Sequence, residues 1–493
     1  MNLFITDLRL LRRSGVSEGV PQALPQAMVE AAMMGGLVDG MPFILDYHGA
    51  YDLDLNRFFR ACPTMGVRSI HSVKAYARDI LTWLRFLKER RGGKTMWQAG
   101  REDVAAYHAV RRLSALPPCI SAASWNRNIA ALEKLYRWGV EEELILSTPF
   151  TYRHVWGGSR YGKMPAVAIR SNRAREPAAR PHDMCFVDLE RYLLFRDIGL
   201  RGRLPDGLDD PSWRGRNGER NALFAELLVT TGLRLEEASS LLRIELPSQA
   251  DRHSAGQRSI PFHLPAAIAK GNKGREIRLP LRLIRRLTDY AELERANAVA
   301  VFAGRMAGSE STMPVAMLGA DRRSVLIDDG DGPRRVRLDL LSPVSRGRLV
   351  CRGDNGAPEP ALLWLTEAGL PVAAATWESI FRRASLRCRD HGIDIDVSPH
   401  TLRHIFAVNM LEMLIREQIG AVLDSRNGKA TGAGDAAYRR MIGDPLQKLQ
   451  RLMGHASIAS TYIYLDSLEE SRALVDAAVA RWDGDLASAG GRR

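Results

Sequence analysis

The chain has 493 residues, 45% of them apolar, and a formal charge of +13. That length exceeds one ordinary core and calls for two or three domains. The apolar fraction excludes a disordered chain, and the basic excess favours a polyanionic partner, nucleic acid before acidic membrane. No apolar run reaches membrane-spanning length, and the start (MNLFITDLRLLRR) lacks the apolar core and cleavage site of a signal peptide. The expectation is a cytoplasmic protein with no membrane partner. Cys62, Cys119, Cys185, Cys351 and Cys388 show no paired spacing, which argues against a zinc ribbon or a disulfide scaffold and for isolated thiols in a reducing compartment.

In chain order, residues 1–62 form an N-terminal extension without a motif, holding a short apolar start and a Met-rich stretch from Met28 to Met41. Residues 63–150 read as an all-α domain. Val73, Tyr76, Ile80, Leu84 and Leu87 recur at helical spacing beside Trp83 and Phe86, and Trp125, Ile129, Leu132, Tyr136 and Val140 mark a second helix. The charges off these stripes, among them Lys74, Arg78, Arg127 and Lys134, are mostly positive, which points to phosphate contact; a merely solvated face is the competing reading. Residues 151–182 carry seven Arg or Lys against one Glu, with several Gly and Pro. They read as a basic linker able to track a phosphate backbone, with simple disorder as the alternative. From 183 to 475 the pattern is mixed α+β and mainly helical, interrupted by insertions near 306–360 and 417–443 and followed by a tail over 476–493.

Five short segments in this last region carry chemistry. In Thr231-Gly232-Leu233-Arg234-Leu235-Glu236-Glu237, an apolar helix ends at Gly232 and a second opens at Arg234. Arg234 and Glu237, three residues apart, share a face and can pair; alone, this is a surface ion pair. Ala269-Lys270-Gly271-Asn272-Lys273-Gly274-Arg275, flanked by apolar-alternating residues, predicts a β-hairpin whose tip presents Lys270 or Lys273, or else a plain turn decorated with lysines. Ser398 reads as a helix N-cap before Pro399, with His400 and Arg403 together in the first turn, where backbone N–H groups favour an anion. Leu446, Leu449 and Met453 predict a helix stopped by Gly454, with His455 just beyond it. Tyr464 follows nine residues after His455, with Tyr462 as its nearest rival.

Taken as an ordered set, TGLRLEE, AKGNKGR, HTLRH, LMGH and the tyrosine beyond resemble the tyrosine recombinases: phage integrases, Xer-type recombinases and related transposases. The resemblance implies a helical core-DNA-binding domain over 63–150 and a catalytic domain over 183–475 with a small antiparallel β-sheet, the DNA breaking-rejoining fold. It implies that Arg234 and Arg403 clamp the scissile phosphate, since arginine keeps its proton and its planar fork matches two oxygens. His400 and His455 would donate hydrogen bonds or move protons. Lys270, with Lys273 as its rival, would protonate the leaving oxygen. Tyr464 would attack to give a 3′-phosphotyrosine and a free 5′-hydroxyl. Glu237 would orient Arg234, and His404 would be structural. The covalent link conserves bond energy, so neither metal nor other cofactor is expected.

The implied partners are double-stranded DNA carrying specific recombination sites and sister subunits in a homotetramer, with other recombinases or DNA-bending proteins as further candidates; the implied location is the nucleoid. Strand exchange would pass through a Holliday junction. The insertions point to a mobile-element integrase or transposase. A type IB topoisomerase and a non-catalytic DNA-binding relative are the competing functions. The stripe Leu468, Ser471, Val475, Val479 and Trp482 reads as a C-terminal helix, offered to a neighbouring subunit or packed on its own domain.

Overall fold

The computed structural model describes residues 1–7, 34, 37–67, 69–114, 119–157, 167–177, 187–247, 258–307, 315–319, 321, 323–328, 333–353, 356–426 and 444–465. The chain divides into two compact units, Met1–Asp183 and Met184–Arg493.

The first unit pairs strands β1 (Asn2–Ile5) and β2 (Pro42–Leu45) antiparallel, continues through helices α1 (Leu53–Ala61), α2 (Ile70–Arg90), α3 (Arg101–His108) and α4 (Ala122–Glu141), and closes with the antiparallel pair β3 (Tyr152–Gly157) and β4 (Val167–Asn172). Helix α2 buries Val73, Ile80, Leu84 and Leu87, together with Trp83 and Phe86, so its apolar face is broader than the stripe alone. Helix α4 starts at Ser121, whose hydroxyl accepts the Ser124 N–H, and buries Trp125, Ile129, Leu132 and Tyr136. The core is aromatic, and two of its rings are linked by hydrogen bonds: Trp83 Nε1 donates to Tyr136 Oη at 2.8 Å, and Tyr136 Oη donates to the Met96 carbonyl at 2.8 Å.

Two segments differ from the sequence expectation. Met41, Ile44, Leu55, Phe58 and Phe59 belong to the same core as α2 and α4, so the described part of 1–62 beyond Met41 is built into the helical unit. Helix α1 spans nine residues, too few turns for a periodic signal to stand out. The described parts of the basic 151–182 segment are paired strands, and the chain after β4 is tied to the helices. Trp125 Nε1 donates to the Ala174 carbonyl at 2.7 Å, and Glu176 accepts from Arg112 and bonds His108. Its partners lie far off in sequence, which a local reading cannot see. Of the Met-rich stretch, residues 28–33, 35 and 36 lie outside the described residues.

The second unit opens with α5 (Leu189–Leu194) and α6 (Gly218–Thr231), followed by α7 (Leu235–Ser239), the antiparallel pair β5 (Ser259–Leu264) and β6 (Arg275–Pro280), α8 (Leu281–Glu292) and α9 (Glu294–Ala307). The described parts of the insertion near 306–360 form strands and a short helix. Strands β7 (Val315–Leu318), β8 (Ser324–Asp328), β9 (Pro333–Arg337), β10 (Val350–Arg352) and β11 (Pro358–Pro360) form one sheet in the order β11-β10-β7-β8-β9, with α10 (Pro343–Arg348) between β9 and β10. Its β10–β7 pair is parallel, so the unit carries a mixed sheet besides the small antiparallel one expected. Helices α11 (Ala374–Asp390), α12 (Pro399–Arg426), α13 (Pro445–Met453) and the short α14 (Ala459–Tyr462) complete it. The main core stacks Phe224 of α6 on Trp377 of α11 at 3.7 Å between centroids, with Trp364 edge-on to both. Most of the 417–443 insertion beyond α12, the C-terminal stripe and the tail lie outside the described residues.

Helix α6 ends at Gly232 in the left-handed region, φ 65°, where a Cβ would meet Phe406 Cδ1 of α12 at 2.3 Å. Gly271, φ 75°, has open space around the same position. Gly232→Ala is therefore expected to cost about 2–5 kcal/mol, strain plus overpacking, and Gly271→Ala only the strain of about 1–2 kcal/mol. Urea unfolding of the two variants measures the difference.

Candidate active site

Each expected helix boundary places a side chain. Gly232 turns the chain so that Arg234 becomes the N-cap of α7, with its N–H bonded to Glu237 Oε2 at 2.8 Å and its Nη1 to Oε1 at 3.1 Å. Ser398 caps α12, accepting the Thr401 N–H at 3.1 Å, which sets His400 and Arg403 in the first turn. Gly454, left-handed at φ 63°, stops α13 and leads to His455. The hairpin differs in detail. Strand β5 ends at Leu264; Ala266–Ile268 forms a 3-10 turn, and Lys270–Asn272 a second one through left-handed Gly271. The apolar run before Lys270 is a turn because Pro265 and Gly271 interrupt strand pairing.

These segments converge. Arg234, Lys270, His400 and Arg403 line one cavity of about 540 Å³, whose walls also carry Glu236, Glu378, Arg382 and Asp396. Behind Arg403 lie the last two residues of the set. His455 and Tyr464 stack with centroids 6.1 Å apart, and His455 Nδ1 bonds Thr461 Oγ1 at 3.0 Å. Lys273 is exposed and is not among the cavity walls. In the first unit, Arg78 is exposed and Lys74 half-buried, whereas Arg127 holds the buried Asp79 through two 3.0 Å bonds, so its guanidinium is already engaged.

The arginines share one anchor, the carbonyl end of α13. Arg403 donates to the carbonyls of Gly232 and Met453, Arg275 Nε to that of Leu452 at 2.9 Å, and Arg234 Nη2 approaches that of Gly454 at 3.5 Å. A helix C-terminus carries partial negative charge, which favours cations there. Among the described residues, the one buried counter-charge in the group is Glu237, gripped by both terminal nitrogens of Arg275 at 2.9 and 2.6 Å. Arg275, last residue of the AKGNKGR motif, has no role in the sequence reading. Its signal was a basic residue opening an alternating strand at a position that proves buried. His404, expected to be structural, bonds Tyr464 Oη through Nδ1 at 3.0 Å and packs edge-on against His400 at 4.3 Å. Tyr464 is only 2% exposed, within a cluster of Phe406, Ala407, Leu449 and Met453.

Ionisation follows from this crowding. Burial, then the Arg234 charge, lowers Arg403 to about 9, which leaves it protonated near neutrality. Burial and neighbouring cations lower His400, and bring His404 and His455 each to about 4, so these two rings are neutral at pH 7. His400 keeps an exposed edge, and burial of the rest of the ring lowers it more than the Arg403, Arg234 and Lys270 charges do. Burial raises Tyr464, while Arg403 and Arg234 oppose that rise. Burial alone would raise the Glu237 carboxyl; Arg275 and the Arg234 N–H overturn this and hold it at about 2. Among the described residues, no group of three or more His, Cys, Asp or Glu side chains is placed to hold a metal ion.

The chain is similar to several known proteins. Residues 53–143 match the family described as phage integrase, N-terminal SAM-like domain. The chain is 21% identical over 394 residues to the tyrosine recombinase XerD of Ralstonia nicotianae, covering 80% of this chain and 83% of that protein. It is 32% identical over 111 residues to tyrosine recombinase XerC 1 of the same organism, covering 22% and 24%. Among solved structures it is similar to the XerH site-specific recombinase bound to palindromic difH substrate in a post-cleavage complex, at 14% identity and a TM-score of 0.46 over 93% of this chain and 90% of that one. The first unit thus includes an integrase-type helical domain. Over most of its length the chain is thus similar to a tyrosine recombinase.

Glu237 offers a direct test of the arginine cluster. Its folded pKa lies below its ordinary value near 4.5, so its stabilisation is complete above that pH and is lost as pH falls towards 2. Glu237→Gln is expected to cost about 3–5 kcal/mol at pH 7, the penalty for breaking a buried ion pair. The gap to wild type should close below pH 4.5 in pH-resolved denaturant unfolding.

Proposed function

We propose that this chain is a site-specific DNA recombinase of the integrase or transposase kind, acting through a 3′-phosphotyrosine on Tyr464. The observation that carries the reading is the cavity where Arg234, Lys270, His400 and Arg403 meet, backed by His455 and Tyr464. A phosphodiester repels nucleophiles through its charge, and fixed guanidiniums offset that charge most strongly in the five-coordinate transition state. Arg234, partly exposed, meets the phosphate first. Arg403 is held by two carbonyls, yet each terminal nitrogen carries a second hydrogen for a phosphate oxygen. As the Tyr464 oxygen bonds to phosphorus, the P–O5′ bond breaks; Lys270 gives its proton to the leaving oxygen, and His400 is the first acceptor for the phenolic proton. The 5′-hydroxyl of a partner strand then reverses these steps. Two rounds exchange strands through a Holliday junction, in a tetramer on paired sites. Arg78 and Lys74 are the candidate phosphate contacts of the helical unit, and Lys273 that of the hairpin. No described helix is long and apolar enough to cross a membrane.

The test is covalent trapping on a randomised library of nicked duplexes, with the trapped sequences recovered. Wild type is expected to give a protein–DNA adduct and Tyr464→Phe none; an adduct from Tyr464→Phe, or none from wild type, defeats the assignment. With the recovered site, Arg234→Ala should slow cleavage about 10²–10³-fold and Lys270→Ala about 10²–10⁴-fold. A substrate whose 5′ leaving group needs no proton should restore the Lys270 variant alone.

A further inference from the structure

The nucleophile proposed above does not stand in the phosphate cavity. Tyr464 is 2% exposed and packed among apolar side chains of α12 and α13, and the cavity walls do not include it. A DNA phosphate cannot enter that core, so the phenol must turn outward to attack. In the buried position its hydroxyl still needs a partner, because an unsatisfied buried hydroxyl is costly. His404 Nδ1 meets it at 3.0 Å. The same ring lies edge-on to His400, which does line the cavity. His404 therefore stands between the stored phenol and the place where it must act.

We infer that His404 is a positioning residue for Tyr464: it accepts the phenolic hydrogen bond that holds the tyrosine in the core, and releases it when the phenol turns to the cavity. Two observations besides the distance support this. His404 is neutral near pH 7, which leaves one ring nitrogen as an acceptor. And a ring this hard to protonate is a poor base for a phenol whose own pKa is raised, so holding is a better use of the contact than taking the proton.

The inference rests on Tyr464 being the nucleophile, and the experiment separates the two claims. His404→Phe removes the acceptor while keeping a ring against His400. Without DNA, nitration of Tyr464 by tetranitromethane, followed on its own peptide by mass spectrometry, should be faster than in wild type. With saturating recovered duplex, single-turnover cleavage should rise about five- to tenfold, the worth of one hydrogen bond in a stored state. His404→Asn, which keeps an acceptor oxygen at the same bond separation as Nδ1, should fall between. Nitration or cleavage no faster than wild type in His404→Phe overturns the inference; slower cleavage would mean that the histidine serves the attack itself. If His404→Phe no longer binds DNA, His404→Ala against His404→Asn carries the same comparison. If wild type forms no adduct, the nucleophile assignment fails, and nitration alone decides whether His404 holds the phenol.

Discussion

The Arg275–Glu237 ion pair is the constraint on which the rest of the site depends. Several guanidiniums crowd one helix end, and like charges at that spacing repel strongly when water is excluded. A single buried carboxylate and the carbonyls of residues 452–454 offset the repulsion. Glu237 does so from three directions, accepting the Arg234 N–H, the Arg234 side chain and the Arg275 fork. Segments far apart in the chain, at 231–237, 275 and 452–455, are thereby fixed to one another before any ligand arrives. The remaining unbalanced charge faces a cavity, where an anion would complete the balance. This is electrostatic preorganisation in the sense useful for phosphoryl chemistry: the charges are set in place by folding and need little rearrangement during the reaction.

The same crowding explains the neutral histidines. A cation-rich, partly dry site disfavours further positive charge, so His404 and His455 are lowered to about 4. They act as hydrogen-bonding groups whose partners, Tyr464 and Thr461, fix their orientation. An arriving phosphate would ease that pressure, so their ionisation in a DNA complex need not equal that in the free protein.

The sequence made visible those features that are local. Gly232 and Gly454 as helix stops, Ser398 as a cap and the stripes of α2 and α4 all follow from side chains within a few residues of one another. Spacing and order, through resemblance, selected Arg234, Lys270, His400 and Arg403, and the structure gathers these on one cavity. What stayed hidden is non-local. That Arg275 is buried against Glu237 depends on β6 passing α7, and nothing near Arg275 announces it. The pairing of β3 with β4, the sheet built from the 306–360 insertion and the burial of Leu55, Phe58 and Phe59 likewise rest on distant partners. His404 was legible as a helix residue, but its bond to Tyr464 spans 60 positions.

The loop between β5 and β6 has one further consequence. Arg275, at its base, is locked into the buried pair, while Lys270, five residues earlier, sits on an exposed turn through a left-handed glycine. Mechanically the tip stands on a clamped base. A substitution at Lys270 or Lys273 therefore leaves the buried ion pair and the carbonyl contacts of Arg275 in place.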